Sequence, residues 1–295
     1  MGFTCSLCPR MCRGVRDKET GAGVCRMPAR PQLARAALHY GEEPPISGTR
    51  GSGTIFFSGC ALRCRFCQNY RISQQDYGEI VSAERLAEIM AELVAQGAHN
   101  INFVNPTAFV PAILDAVKRY RPPVPLVYNS SGYERVETLR ALEGIIDIYL
   151  PDLKYSGDTL AAELSGVADY TVFARPALRE MLRQTGPLSL GDDGMARRGT
   201  IVRHLVIPGH TVNSMEVLRW LREELPEATV SVLMQYTPIG DLPSPLDRPL
   251  TRREYRKIRD YVESLGWESG FIQQYGCSGT EKIPTFDLTG VHKSA

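Results

Sequence analysis

From about residue 53 onward, the chain alternates short apolar runs with amphipathic stretches. The apolar runs predict strands near residues 54–58, 101–105, 124–128, 146–151, 201–207 and 229–235. Helical periodicity lies between them, as in 83–96, 215–225 and 252–265, and the last helix follows Thr251 as an N-cap and ends at Gly266. Strands that alternate with helices form right-handed β–α units and a parallel sheet. The pattern therefore predicts an α/β fold with a TIM-like partial barrel, (β/α)6.

The same pattern divides the chain into three parts. Residues 1–50 have little apolar periodicity and several cysteines, which predicts a small Cys-rich, metal-binding extension. Residues 51–269 contain the predicted barrel, and residues 270–295 predict an irregular C-terminal tail packed on it. Within the barrel, residues 184–199 are rich in turn residues and predict a surface hairpin or mobile loop.

Composition narrows the class of protein. The chain has 295 residues, a net charge of +1 and 43% hydrophobic residues, which is typical of one large α/β domain with a small appendage. The near-neutral charge makes nucleic acid an unfavoured partner. The sequence has neither a secretion-signal pattern nor an apolar run of about eighteen residues, so we expect no membrane contact. Eight cysteines without such a signal favour metal binding in a reducing cytoplasm over disulfides.

Three of these cysteines follow the first predicted strand in the pattern C-x3-C-x2-C, namely Cys60, Cys64 and Cys67. Clusters of the [4Fe–4S] type normally have a thiolate on each of their four irons, so three cysteines leave one iron open. An open metal position is where a bound molecule is activated, and S-adenosylmethionine (SAM) is the ligand that fills it in this setting. Buried packing thiols, or a zinc site with a distant fourth ligand, are the alternatives.

The cysteine loop resembles that of the radical SAM superfamily, whose members cleave SAM to a 5′-deoxyadenosyl radical that abstracts hydrogen from a substrate. The resemblance implies that Phe66 lies beside the adenine. The strand ends that carry Asp152, Lys154 and Arg203 look like those of pyruvate formate-lyase activating enzyme and its relatives. This implies Lys154 near the SAM carboxylate, Arg203 reaching SAM from inside the barrel, and Asp152 near a monovalent cation or the sulfonium. A strand-end ion pair between Asp152 and Lys154 is the alternative.

Two other strand ends differ from that family. Asn105 and Thr107 stand where the family has Gly-Gly-Glu, and they offer oxygens to the methionyl amine of SAM. Asn129 and Ser130 stand where it has Asp-Thr-Asn-Gly, and we expect them to contact the cofactor too. The missing acid argues against a bound sodium or potassium ion. The whole pattern looks most like the PflX-type homologues of the glycyl-radical activating enzymes.

That resemblance also implies partners. Flavodoxin or ferredoxin would supply electrons, and the substrate would be a glycine of a partner glycyl-radical enzyme, in an anaerobic or microaerobic cytoplasm. Another peptide or a small metabolite is the alternative substrate. A non-catalytic metal-binding interaction protein is an alternative of a different class, favoured by the basic residues between Arg10 and Arg26.

A second set of cysteines lies in the extension with the spacing C-x2-C-x3-C-x12-C, and comprises Cys5, Cys8, Cys12 and Cys25. Four thiolates can close a tetrahedral metal site, whose binding energy would help so small a segment to fold. Zinc is our first prediction and a second iron–sulfur cluster the alternative, because spacing does not separate them. The remaining cysteine, Cys277, is predicted to pack, with hydrogen-atom donation or metal ligation as the alternative.

Overall fold

The structure is a computed structural model that describes residues 2–267, 269–280 and 283–293. Its strands are β1 (Phe3–Thr4), β2 (Val15–Arg16), β3 (Gln32–His39), β4 (Ser52–Phe57), β5 (Glu79–Ile80), β6 (Ile101–Val104), β7 (Leu126–Ser130), β8 (Ile148–Pro151), β9 (Ser189–Leu190), β10 (Ala196–Leu205), β11 (Thr229–Leu233) and β12 (Gly270–Ile272). Its helices are α1 (Pro44–Ser47), α2 (Tyr70–Ser73), α3 (Ala83–Ala95), α4 (Val110–Arg119), α5 (Val136–Arg140), α6 (Asp158–Ser165), α7 (Tyr170–Thr185), α8 (Thr211–Glu224) and α9 (Arg252–Ser264), with a 3₁₀ turn at Thr107–Phe109.

Most of the strands form one large, largely parallel sheet. Neighbouring strands run β4-β6-β7-β8-β10-β11-β12 in parallel, and the six strands expected from the apolar runs are all among them. β3 pairs antiparallel with β4, and β5 with β3, so the described sheet runs from β12 to β5 without closing. The predicted α/β class with a mainly parallel sheet is confirmed, and the open path is consistent with a partial barrel.

The predicted helices also match the structure closely. α3, α8 and α9 lie within a few residues of the stretches expected from periodicity. The Thr251 side chain accepts from the Glu254 backbone N–H, and Glu254 returns a bond to Thr251, which makes a capping box at the start of α9. The turn-rich segment before the fifth strand forms the predicted hairpin, with β9 antiparallel to β10. None of the described helices is both long and apolar enough to cross a bilayer.

The main difference from the sequence-based division lies in the first fifty residues. Only β1 and β2 form a separate two-stranded sheet, whereas β3 pairs with β4 along most of its length. The C-terminal tail, predicted to be irregular, begins with β12, which pairs with β11 at the other end of the sheet. Further along, the tail contacts β3, since Leu288 N–H donates to the Ala34 carbonyl and Ala36 N–H donates to the Thr289 carbonyl. β3 carries no strong apolar alternation, so its place in the sheet depends on partners distant in sequence.

α1 closes one end of the barrel. Successive strand residues point to opposite faces of a sheet. Leu126 and Tyr128 of β7 pack outward among the helices, whereas Val127 between them packs with Ile46 of α1 and with Ile148. Burying one such side chain fully contributes about 1.5–3 kcal/mol. Because α1 fills the end of the barrel where the strands begin, the space above it remains open near the strand ends.

Candidate active site

The cysteine loop after β4 is shaped by two residues with positive φ. Gly59 has φ of 76°, and an added Cβ there would lie 2.2 Å from Cγ of Met27, so only glycine fits. Asn105 has φ of 60°, a conformation that Asn adopts more readily than other side chains, and its Nδ2 donates to the Gly59 carbonyl. Asn105 at the end of the second parallel strand therefore holds the start of the cysteine loop.

The three thiols of this loop line a cavity of about 770 Å³, which is large enough for a cofactor and a small substrate group. Burial raises the pKa of Cys60, Cys64 and Cys67, and the Lys154 ammonium opposes that rise at all three. The Ser165 hydroxyl donates to Cys64 Sγ at 2.9 Å. A cation and a hydrogen-bond donor beside clustered thiols favour thiolates. This donor set therefore fits an iron–sulfur cluster with one open iron.

The strand ends contribute most of the predicted cofactor contacts to the same cavity. Its lining includes Phe66, Asn105, Asn129, Ser130, Asp152, Lys154 and Arg203. The Phe66 ring packs against Tyr236, with ring centroids 6.1 Å apart, so one aromatic wall lies within the cysteine loop itself. The arrangement offers an aromatic surface, amides, a hydroxyl and charges of both signs around the thiols.

Asp152 and Lys154 form the ion pair expected as the alternative, and they also lie next to the thiols. Lys154 Nζ is 2.5 Å from Asp152 Oδ2, with both side chains mostly buried. Burial disfavours the ammonium, but the Asp152 carboxylate, together with Cys64 and Tyr170, outweighs burial and raises the pKa of Lys154. The Tyr170 hydroxyl donates to the Asp152 carbonyl, and Gly132 allows a close approach, because a Cβ there would lie 2.0 Å from that carbonyl oxygen. These contacts position the backbone of Asp152, which carries one side chain of the pair.

Thr107 lies elsewhere than expected. Its hydroxyl donates to Glu134 Oε1 at 2.6 Å, and Thr107 is not among the residues that line the cavity. Glu134 is fully buried, and burial raises its pKa to about 7, although the bonds that it accepts from Thr107, Ser130 and Tyr128 oppose that rise. Sequence reasoning missed Glu134, since nothing in its neighbourhood marks it as a buried acid.

Arg203 points into the barrel, as expected, but two acids engage its guanidinium. Nε donates to Glu43 Oε1 at 2.9 Å, and Nη2 donates to carboxylate oxygens of both Glu42 and Glu43. Burial opposes ionisation of Glu43, yet the Arg203 guanidinium holds the pKa of that carboxyl below its ordinary value. These acids were missed because residues 1–50 were assigned to a separate extension. The contact of Arg203 with SAM stays a prediction.

The N-terminal cysteines lie near one another, next to the cysteine loop. Burial, and to a smaller extent Cys25 and Cys5, raise the pKa of Cys8 to about 12. Among residues 2–267, 269–280 and 283–293, no three His, Cys, Asp or Glu side chains converge as ligands of one metal ion. A cubane cluster needs no such convergence, because each of its thiolates binds a different iron. The second metal therefore stays a prediction.

The extension contacts the cysteine loop directly. Arg10 Nε donates to the Ala61 carbonyl at 2.8 Å, and its Nη1 donates to the Gly166 carbonyl at 2.8 Å. A Cβ at Gly59 would also lie 2.9 Å from the carbonyl oxygen of Cys25. The two groups of cysteines are therefore neighbours in the fold, although 35 residues separate Cys25 from Cys60 in the chain.

Comparison with known protein families supports a radical-type iron–sulfur site at this cysteine loop. Residues 54–235 match the family description of the radical SAM superfamily, a segment that contains the three cysteines and all the strand ends described above. The chain belongs to the radical SAM superfamily. Membership implies a [4Fe–4S] cluster and SAM as the cofactors of the cavity.

Individual relatives of this radical SAM protein are more distant. The uncharacterized protein MJ0674 of Methanocaldococcus jannaschii is 29% identical over 271 residues, which cover 88% of this chain and 74% of that protein. Two crystal structures of SuiB from Streptococcus suis, bound to S-adenosylmethionine or to the precursor peptide SuiA, share 11% and 12% identity with TM-scores of 0.48. Each match covers 74% of this chain, but only 49% and 47% of the SuiB chains, so this chain spans about half their length.

Proposed function

We propose that this protein reductively cleaves SAM at a [4Fe–4S] cluster held by Cys60, Cys64 and Cys67, and that hydrogen is then abstracted from a substrate in the same cavity. The observation that carries the proposal is that these three thiols share one cavity with the polar strand ends, including the Asp152–Lys154 pair. A cluster that only stored electrons would need no such cavity beside its open iron.

The cluster and SAM together supply a 5′-deoxyadenosyl radical when an electron is delivered. The residues of the chain bind and orient. Lys154, held by Asp152, places a positive charge beside the three thiols, where it offsets thiolate charge and can pair with the carboxylate of SAM. Phe66 presents an aromatic face for the adenine.

The substrate and the electron donor are the finer part of the proposal. By the family resemblance of the strand ends, the substrate is a glycine on a partner glycyl-radical enzyme, and flavodoxin or ferredoxin delivers the electron in an oxygen-poor cytoplasm. The extent of the cavity, about 770 Å³, also suits another peptide or a small metabolite. A non-catalytic interaction protein is disfavoured because cofactor-type side chains surround the thiols.

The test is anaerobic reconstitution with iron and sulfide, followed by reduction with dithionite and addition of SAM. We expect about four irons per chain at the loop and formation of 5′-deoxyadenosine. Replacing Cys60, Cys64 and Cys67 together by Ala should abolish both. Cys277→Ala is the matched control, because Cys277 is outside the cavity lining and its loss should leave both readouts in place. Full iron loading without deoxyadenosine under any reductant would refute the proposed activity.

We also propose a second metal at the N-terminal cysteines. Support comes from their mutual proximity and from the contact of Arg10 with the cysteine loop, which would couple the two sites. A zinc ion would give the extension a structural role, whereas an iron–sulfur cluster would let it relay electrons. Metal analysis of the wild type against Cys8→Ser/Cys12→Ser distinguishes these outcomes. Equal zinc and iron contents in both proteins would refute a second metal.

A further inference from the structure

The cavity floor contains more acid than base. One guanidinium, that of Arg203, faces the two carboxylates of Glu42 and Glu43, and the three side chains are 10%, 9% and 3% exposed. In the part of the chain that is described, Glu42 has no ion pair besides that with Arg203. The group therefore carries one uncompensated negative charge, and unpaired charge in a protein interior is costly.

An unmet hydrogen-bond acceptor lies beside this charge. Glu42 Oε1 accepts from Asn102 Nδ2 at 2.9 Å and from Asn129 Nδ2 at 3.4 Å. The bond to Glu42 fixes the Asn102 amide, because the reverse orientation would turn its oxygen against a carboxylate. Asn102 is fully buried, and its Oδ1 has no hydrogen-bond partner among the described residues. A hydrogen-bond donor that carries positive charge would satisfy the unmet acceptor and also neutralise the excess negative charge.

We propose that this floor, where Glu42 and Asn129 line the cavity and buried Asn102 lies behind Glu42, binds a cationic nitrogen of the substrate, either a primary ammonium or a guanidinium. Such a group donates several hydrogen bonds at once and would neutralise the excess charge. The inference rests on the proposed function, because Glu42 and Asn129 line the same cavity as the thiols. It names the chemical class that the substrate presents: an amine, or a lysine-like or arginine-like side chain.

The depth of the floor separates it from the predicted SAM site. Asn102 lies within β6 and Asn105 follows the end of that strand, so Asn102 lies up to about 10 Å further toward α1. The amine of SAM is expected at Asn105, at the strand end beside the cysteine loop. Glu42 comes from the segment just before α1 and approaches from the opposite end of the barrel. A cation bound at Glu42 is therefore distinct from the SAM amine expected at Asn105, while Asn129 and Arg203, which are expected to contact SAM, lie between the two positions.

The test uses the reconstituted protein with n-butylammonium and n-propylguanidinium chloride as probes, at ionic strength held constant with tetramethylammonium chloride. We expect a concentration-dependent rise of the thermal midpoint with at least one probe, and no rise with neutral n-butanol. The apparent affinity should fall about tenfold or more in Glu42→Gln and remain at the wild-type value in Glu163→Gln, which changes an exposed acid.

Several outcomes would overturn the inference. Equal protection by n-butanol would mean apolar binding, and protection by potassium chloride alone would mean an alkali-cation site. Undiminished binding in Glu42→Gln would place the cation elsewhere. Deoxyadenosine formation by the wild type keeps the two proposals apart. Cation binding without deoxyadenosine refutes the proposed activity only, whereas deoxyadenosine without cation binding refutes this inference only.

Discussion

Replacing Glu134 by Gln should stabilise the protein, and the gain should grow with pH. Glu134 is a fully buried acid whose hydrogen-bond donors are hydroxyl groups, and burial raises its pKa from an ordinary value of 4.5 to about 7. An acid whose pKa is raised on folding does not destabilise the folded protein at a pH below the pKa of the unfolded state. Its cost grows as pH rises between the two values and is complete above the folded one. A shift from 4.5 to about 7 corresponds to about 3 kcal/mol at most.

The iron–sulfur cluster restricts the assay to near-neutral pH, where Glu134 is already partly ionised and most of its destabilising effect is present. Between pH 6 and pH 8 the remaining increment is about 1 kcal/mol by the same linkage relation. Anaerobic urea denaturation of the reconstituted wild type and Glu134→Gln at both pH values measures it. Glu137→Gln is the control, since Glu137 lies three residues further along and is exposed. A difference between Glu134→Gln and wild type that does not change with pH would refute the reasoning, because Glu134 would then be ionised throughout.

Three further predictions concern the strand ends and α9. Gly132→Ala should lower both the free energy of unfolding and the affinity for SAM, because its Cβ would lie 2.0 Å from the Asp152 carbonyl oxygen. The control is Gly144→Ala, which also has a positive φ but lies in open space. It should lower the free energy of unfolding only by the backbone strain of about 1 kcal/mol. Lys154→Met should weaken SAM binding about tenfold or more in anaerobic calorimetry, and an unchanged Kd would exclude contact with the SAM carboxylate. Thr251→Ala should cost about 1 kcal/mol in urea denaturation through loss of the N-cap, and Thr251→Ser should restore most of it.

Local patterns determined the parts of this protein that need only neighbouring residues. The C-x3-C-x2-C spacing of Cys60, Cys64 and Cys67 defines a ligand loop without reference to the rest of the fold. Apolar runs and helical periods predicted the parallel strands, because a strand or an amphipathic helix buries a face that its own sequence specifies. The capping signal at Thr251 is equally local, and the structure confirms it.

Contacts between distant segments were decided only by the tertiary structure. Glu42 and Glu43 reach Arg203 across about 160 residues because α1 fills the end of the barrel. Thr107 turned away from the cavity because Glu134, from another strand end, takes its hydroxyl. No periodicity encodes such pairs, since each depends on strand register and on which helix covers which end of the barrel. The kind of chemistry at the loop follows from neighbouring residues, whereas the charge of the cavity floor follows from the fold.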